Sequence, residues 1–374
     1  MRVFINVSNI KLSGALQVAV SFINEIAHIG EHEFAIAVND IVQKEIDDVR
    51  FGENVSIYSV DFRHPFQSGY SGYKNKIDDL VETSRAECVF SVFGPTYWTP
   101  AVPHLAGFAY GWGVNPDSEF IKSLPWYRKI KMGLENTFKG YYFRRDARYY
   151  VVETEIVRQR LNRFMSVNLD DIFVVNNTFN HFFLNPDLNK TDWGIEKGGF
   201  RLLTISSNYE HKNLIVYKRL SEYFRRNDIN DIYFIVTLLD VDYLTLYGDG
   251  DPNIINVGKV SPQDCPSLYL LSDAMILPTV LESFTACYPE AMIMGKPILT
   301  SDLDFARDIC RDAALYFNPF DYTDIARKIL QLRKDTELQN ELIELGKKRV
   351  FDFPSADKRA SEYLKICQRI VNDL

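Results

Sequence analysis

Short apolar runs alternate with helical segments along most of this chain, and that alternation limits the possible folds more than any other feature. The first run, residues 3–7, is followed by a helical pattern over residues 14–30 that places Leu16, Val20 and Ile23 on one face. Further strand-like runs cover residues 34–38, 55–60, 88–93, 104–109 and 149–152. Uninterrupted apolar runs suit strands that are buried on both faces, so the pattern predicts an α/β fold with parallel sheet and right-handed crossovers.

The alternation stops at residues 185–199, a polar stretch that contains Pro186, Gly194, Gly198 and Gly199 and predicts a linker. It then resumes, with strand-like runs at residues 201–205, 232–238, 254–257, 274–277 and 297–300. We therefore expect two facing Rossmann-like, doubly wound domains with a cleft between them. The predicted first domain covers residues 1–184 and the second residues 200–355. A helix over about 356–374 is expected to pack back on the first domain.

Composition and charge exclude several classes of protein. With 374 residues, 46% of them hydrophobic, and a net charge of −8, the chain is neither disordered nor a basic nucleic-acid-binding protein, so we expect no nucleic-acid partner. No apolar run reaches the roughly 18 residues of a membrane-spanning helix. The opening residues are typical of a first strand and not of a signal peptide. Five scattered cysteines without a C-x-x-C pair predict neither disulfides nor a zinc site, and suggest a cytoplasmic protein.

The segment 257–319 carries the strongest sign of chemistry. A strand at residues 274–277 leads into a loop, and a helix that begins near Ala286 follows, so the backbone N–H groups of Phe284, Thr285 and Ala286 should point beyond the strand's carboxyl end. Two acids flank this point, Glu282 and Glu290. A nucleotide-sugar would satisfy both features, since its phosphates accept from N–H groups and its hydroxyls donate to carboxylates. Spacing alone supports equally well that both acids only favour the dipole at the start of the helix.

The residue string resembles glycosyltransferase family 4, the retaining nucleotide-sugar transferases of GT-B fold. The shared pattern is Glu-x7-Glu followed by Ala-Met-x-x-Gly-x-Pro-Ile, which here begins at Glu282 and Glu290 and continues through Ala291 to Ile298. Flanking strings also match, at residues 257–260, 268–274, 300–302 and 314–319. A match of this length and order is specific.

The resemblance implies roles for particular residues. Glu282 and Lys212 would be catalytic, with Glu282 on the hydroxyls of the donor sugar and Lys212 on the diphosphate. Glu290 would bind the ribose. The remaining donor-binding residues would be Ser283, Phe284, Thr285, Gly258, Val260, Ser207 and Asn208. Ser207 stands where the family has a phosphate-binding Arg, so the resemblance leaves that role without a residue. Lys212 could also be an ordinary exposed lysine at the start of a helix.

The loop of residues 8–15 matches the place of the family's Gly-rich loop, which approaches the diphosphate and the acceptor. Gly14 allows close approach of the backbone, and Ser13 could equally serve as an N-cap. Aromatic residues in the loop 93–98 could contact an acceptor sugar or pack in the core. Three D-x-D triplets, which begin at Asp240, Asp249 and Asp302, lack the context of a metal site, so we expect neither a metal nor another cofactor.

The resemblance implies a retaining hexosyltransferase that moves a sugar from a UDP- or GDP-sugar to a glycan or lipid-linked acceptor, in surface polysaccharide (O-antigen or capsule) biosynthesis. The alternative is a non-catalytic nucleotide-sugar-binding subunit of a transferase complex. Residues 122–148 hold eight basic and two acidic residues interleaved with aromatic rings, in a chain of net charge −8. This segment therefore predicts peripheral contact with the anionic inner face of the membrane, unless it is a solvated helix whose rings pack inward.

Overall fold

The computed structural model describes residues 1–11, 13–186, 193–195 and 198–373, except for the side chain of Ser13. Its contacts divide the chain into an N-terminal unit, Met1–Asn177 with Pro354–Leu374, and a C-terminal unit, Thr178–Phe353. Of the predicted linker, residues 185–199, the stretches 187–192 and 196–197 lie outside the described residues.

The N-terminal unit contains a seven-stranded parallel sheet with the order β3-β2-β1-β4-β5-β6-β7. Its elements in chain order are β1 Arg2–Asn6, α1 Ser13–Ile26, β2 Glu33–Val38, α2 Asp40–Glu45, β3 Val55–Ser59, α3 Tyr70–Thr83, β4 Cys88–Ser91, β5 His104–Gly107, α4 Gly111–Val114, α5 Glu119–Ser123, α6 Trp126–Asp146, β6 Tyr149–Val152, α7 Glu155–Met165 and β7 Ile172–Val174.

The C-terminal unit contains a six-stranded parallel sheet with the order β10-β9-β8-β11-β12-β13. Its elements are β8 Phe200–Thr204, α8 Val216–Arg226, β9 Ile232–Val236, α9 Asp240–Tyr247, β10 Ile254–Asn256, α10 Cys265–Leu271, β11 Ala274–Leu277, α11 Cys287–Ile293, β12 Ile298–Ser301, α12 Asp304–Cys310, β13 Leu315–Phe317, α13 Tyr322–Lys334 and α14 Thr336–Arg349.

The last helix, α15 (Ala356–Asn372), belongs to the N-terminal unit, where it packs on α1. The Tyr363 ring meets Phe22 and Phe90 edge-on or tilted, at centroid distances of 5.5 and 5.0 Å. Arg359 is fully buried and donates hydrogen bonds to the Ser21 hydroxyl, 2.8 Å away, and to Asn177. Hydrogen bonds to both partners offset part of the cost of burying a guanidinium.

Both sheets are covered on both faces, which explains the apolar runs. In β8, Leu202 and Leu203 are both fully buried, yet they belong to the two different cores on opposite faces of the sheet. The predicted α/β fold with two doubly wound, Rossmann-like sheets is confirmed. The strands β7 and β13, of three residues each, were not among the predicted runs.

Each sheet has one topological switch point, at which the direction of winding reverses. In the C-terminal unit, β8 and β11 are neighbours, and the chain winds outward from them in opposite directions. In the N-terminal unit, β1 and β4 have the same relation. The loops that leave the carboxyl ends of two such strands diverge and leave an opening, and doubly wound proteins bind ligands there.

Candidate functional site

Two loops meet at the switch point of the C-terminal sheet. The loop after β8 ends in a short 3₁₀ turn, Glu210–Lys212, which Asn213 closes with a left-handed φ of +56°. The loop after β11 runs over residues 278–286 into α11. Two hydrogen bonds join the loops at the His211 carbonyl, from the Val280 N–H at 2.7 Å and the Thr279 hydroxyl at 3.0 Å.

This junction brings Lys212 and Glu282 together. The Lys212 ammonium donates to Glu282 Oε1, and the Thr279 hydroxyl oxygen lies 3.3 Å from the same oxygen. The side chains are only 16% and 11% exposed. Burial by itself would lower the pKa of Lys212, but the neighbouring Glu282 carboxylate outweighs burial and raises it. Lys212 is therefore a charged, positioned cation and not an exposed helix-start lysine.

The backbone between Glu282 and α11 offers hydrogen-bond donors. Among the described residues, no acceptor lies within hydrogen-bond distance of the N–H groups of Phe284, Thr285 and Ala286. The side chains of Ser283, Phe284 and Thr285 are buried, and the Phe284 ring packs edge-on against Phe353. Phe284 can thus contact a ligand through its backbone only. Unpaired N–H groups at the end of a parallel strand suit an anion.

Glu290 lies in α11 with its carboxylate partly buried. The hydroxyl of fully buried Tyr269 donates to Glu290 Oε2 at 3.0 Å. Burial raises the pKa of Glu290 to about 7, although the Tyr269 hydrogen bond opposes the rise. The Cys287 thiol lies near Glu290, Lys212 and Glu282, and burial raises its pKa to about 12, so it is neutral. The two acids of the motif therefore belong to one site but have different surroundings.

The other predicted donor-binding residues lie in loops at the same sheet edge. Ser207 is exposed after β8, and the Asn208 amide donates to Asp242 at 3.3 Å. Gly258, after β10, has a φ of +77°, and Val260 is partly buried against the hydrophobic core of this unit. No hydrogen bond among the described residues joins any of these four to the Lys212–Glu282 pair. In the described part of the chain, no hydrogen bond or ion pair joins an arginine to Lys212, Glu282 or Glu290.

Two side chains of this site were given no role from the sequence, although Tyr269 lies in the matching flanking string 268–274. Tyr269 precedes Glu290 by 21 residues, and Thr279 lies on the loop without a motif position of its own. Their roles depend on packing between separate elements. A search for hydroxyl residues one helix upstream of the second acid would have found Tyr269.

The switch point of the N-terminal sheet also joins two loops. The Asn9 amide, after β1, donates to the carbonyl of Phe93, after β4, at 2.8 Å. Gly14 lies in the exposed first turn of α1, where an added Cβ would meet no atom within 4 Å, and the Ser13 side chain lies outside the described residues. Tyr97, in the β4 loop, has a left-handed φ of +57° and packs among aromatic rings. Its ring is buried, which favours the core-packing interpretation for this residue.

The D-x-D triplets are the candidate metal ligands of the sequence. Asp240 and Asp242 lie in the first turn of α9, and Asp302 pairs with Arg307. Within the described ranges, no three His, Cys, Asp or Glu side chains cluster as a metal site. The absence of a metal and of other cofactors stays a prediction. No helix in the described part of the chain is both long and apolar enough to cross a membrane.

Comparisons with known proteins agree with this geometry. Residues 248–349 match the family described as "Glycosyl transferases group 1". No curated protein matches the chain. Solved structures match over nearly the whole length. A glycosyltransferase from Rickettsia africae has 16% identity and a TM-score of 0.73, with 100% of this chain and 99% of that chain covered.

Two further structures are similar. HepE from Anabaena, solved in complex with UDP and glucose, has 11% identity and a TM-score of 0.72, with 99% of this chain and 100% of that chain covered. Sucrose-phosphate synthase from Thermosynechococcus elongatus has 10% identity and a TM-score of 0.75, with both chains covered completely. Residues 248–349, which span α11 and both motif acids, therefore match the group 1 glycosyltransferases, and the two Rossmann-like sheets of this chain form the GT-B fold.

Proposed function

We propose that the chain is a retaining hexosyltransferase of family 4, which moves a sugar from a UDP- or GDP-sugar to a glycan or lipid-linked acceptor. The observation that carries this proposal is the Lys212–Glu282 pair beside the unpaired N–H groups of residues 284–286. A cation and N–H groups suit a diphosphate, and a carboxylate suits sugar hydroxyls. That HepE is solved with UDP and glucose supports a uridine nucleotide among the candidates.

The proposed chemistry needs no protein nucleophile. The bond between the anomeric carbon and the diphosphate oxygen breaks, and the acceptor oxygen bonds to that carbon from the same face. The acceptor proton passes to the leaving phosphate oxygen. Lys212 and the N–H groups of the β11 loop stabilise the negative charge that develops on the diphosphate. Glu282 accepts hydrogen bonds from the donor sugar and Glu290 from the ribose, while Gly258, Val260, Ser207, Asn208 and Ser283 complete the donor site.

We assign the acceptor to the N-terminal unit, where Ser13 and Gly14 begin α1 at the switch point. The resemblance to family 4 supports a role in surface polysaccharide biosynthesis, at the cytoplasmic face of a membrane. Membrane contact through residues 122–148 is supported by the exposure of five large apolar side chains of α6, each more than half exposed: Trp126, Tyr127, Ile130, Leu134 and Tyr141. Exposed aromatic and apolar side chains among cations fit the headgroup layer of an anionic bilayer.

A panel of nucleotide-sugars, with glycan and lipid-linked acceptors, tests the proposal by nucleotide release and by NMR of the product. We expect release from one UDP- or GDP-sugar and retention of its anomeric configuration. An inverted anomeric centre would disprove the retaining mechanism. Tight nucleotide-sugar binding without turnover on any acceptor would favour the non-catalytic subunit, which the serine at position 207 already favours slightly.

A further inference from the structure

Tyr269 has a role that the motif does not assign. It is fully buried in α10, where its ring packs edge-on against Phe183 at a centroid distance of 5.9 Å. Its hydroxyl lies 3.0 Å from Glu290 Oε2 and 3.3 Å from the Cys287 carbonyl. Packing therefore fixes the ring, and the ring in turn fixes the hydroxyl at the carboxylate of Glu290.

Because of this contact, the two oxygens of the Glu290 carboxylate have different hydrogen-bond partners. Oε2 of Glu290 accepts from Tyr269, and among the described residues no donor lies within hydrogen-bond distance of Oε1. A carboxylate with one oxygen held and the other unpartnered is oriented before a ligand arrives. Such preorganisation reduces the loss of side-chain freedom on binding.

We propose that Tyr269 is a positioning residue for the nucleotide: it holds Oε2 of Glu290 so that Oε1 accepts from the ribose hydroxyls. This inference rests on the proposed donor site, in which Glu290 binds the ribose. Tyr269 itself touches no substrate.

The contact also moves the pH range in which Glu290 is ionised, which burial mainly determines. The titratable groups near its carboxylate are Tyr269 and the Cys265 thiol from α10 and the Cys287 thiol from α11. Burial keeps both thiols neutral, so no charge from them acts on Glu290. The pKa of Glu290 is about 7, and the Tyr269 hydrogen bond opposes a further rise. Without that bond, Glu290 takes up its proton at a higher pH and stops accepting from the ribose there.

The test compares three variants by calorimetric titration from pH 6 to pH 9, with the tightest-binding member of a UDP-, GDP- and ADP-sugar panel. We expect Tyr269→Phe to weaken binding roughly tenfold at neutral pH. The midpoint at which affinity falls with decreasing pH should also move upward. Glu290→Gln should bind weakly with no pH midpoint in this range. Tyr288→Phe is the matched control, because this buried α11 tyrosine bonds to Thr300 at 2.7 Å, so its variant should keep the wild-type midpoint.

The outcomes separate the two proposals. If Glu290→Gln weakens binding but Tyr269→Phe behaves as wild type at every pH, the role of Tyr269 is wrong and the donor site stands. If Tyr269→Phe and Tyr288→Phe lose the same affinity with unshifted midpoints, the Tyr269 effect is only structural. If Glu290→Gln binds as wild type, or no nucleotide-sugar binds, the donor site itself is wrong and the inference falls with it.

Discussion

Lys212 and Glu282, 70 residues apart in sequence, form an ion pair at the switch point of the C-terminal sheet. Each charge thus has a partner before any ligand is present. A diphosphate that binds here competes with the carboxylate for the ammonium, and a sugar hydroxyl competes with the ammonium for the carboxylate. In the proposed site, substrate binding therefore breaks the Lys212–Glu282 ion pair and replaces it with contacts from each residue to the substrate.

Removal of either partner should cost both stability and activity. We expect Lys212→Met and Glu282→Gln each to lower the free energy of unfolding by about 2 kcal/mol, because each leaves a largely buried polar group without its partner. The double variant should lose less than the sum. Lys212→Met should also lower kcat by about 10²–10³-fold, since its charge acts in the transition state. Urea unfolding and nucleotide release measure both effects.

Lys218→Met, on the exposed face of α8, is the control for these measurements and should match wild type. Full turnover by the Lys212 variant would contradict the catalytic role of that residue.

Membrane contact should depend on both charge and apolar surface of α6. The triple variant Arg128→Glu, Lys129→Glu, Lys131→Glu should abolish binding to phosphatidylserine vesicles, since each basic residue near an anionic surface contributes about 1 kcal/mol. Trp126→Ser, Ile130→Ser and Leu134→Ser together should weaken binding even at high salt, because these side chains share one face of the helix. Vesicle co-sedimentation at low and high salt measures each effect.

The matched control is Val241→Ser with Leu244→Ser, which removes two exposed apolar side chains from the acidic helix α9. It should leave sedimentation unchanged. If wild-type protein does not co-sediment with anionic vesicles, α6 is only a solvated helix and the membrane prediction is wrong.

The free energy of unfolding should decrease at acidic pH because the buried His104 becomes protonated. Burial lowers the pKa of His104 to about 4, and its ring nitrogens lie 2.8 Å from the Ser91 hydroxyl and 2.6 Å from the Asp146 carbonyl. The unfolded chain takes up this proton below about pH 6.5, whereas the folded protein resists until about pH 4, so protonation favours unfolding between those values. The free energy of unfolding should fall by about 3 kcal/mol by pH 4 through this group. Between pH 7 and pH 4.5, the free energy of unfolding measured in urea should fall less for His104→Gln than for wild type. An equal fall in both proteins would show that other groups cause the acid sensitivity.

Gly107 should tolerate no side chain. A Cβ there would lie 1.8 Å from the Val92 carbonyl oxygen, and Gly107 also accepts from the Gly94 N–H at 2.8 Å, which holds the β4 loop. We expect Gly107→Ala to cost more than about 3 kcal/mol, because backbone must move. Gly133→Ala, at an exposed position of α6 with no atom within 4 Å, should instead raise stability by about 0.5–1 kcal/mol. Thermal unfolding of both variants measures the two effects. Equal melting temperatures for Gly107→Ala and Gly133→Ala would contradict the prediction.

The sequence by itself determined the fold class and the position of the Glu-x7-Glu motif. Buried parallel strands need side chains that are apolar on both faces, so Leu202 and Leu203 already indicate a covered sheet. Likewise, the spacing from Glu282 to Glu290 places one acid in a loop and the other in the following helix, because strand, loop and helix each have local signals. Periodicity and motif spacing are properties of neighbouring residues, and a single sequence shows them directly.

Only the tertiary structure decided which distant residues meet. The order β10-β9-β8-β11-β12-β13 places β8 beside β11, and that adjacency brings Lys212 onto Glu282. Packing of α10 beneath α11 places the Tyr269 hydroxyl on Glu290, a contact that no local pattern encodes. The Phe284 ring is buried against Phe353, while its N–H has no acceptor among the described residues. These contacts depend on strand order and on burial by elements far away in the chain, which periodicity cannot specify because it describes each element alone.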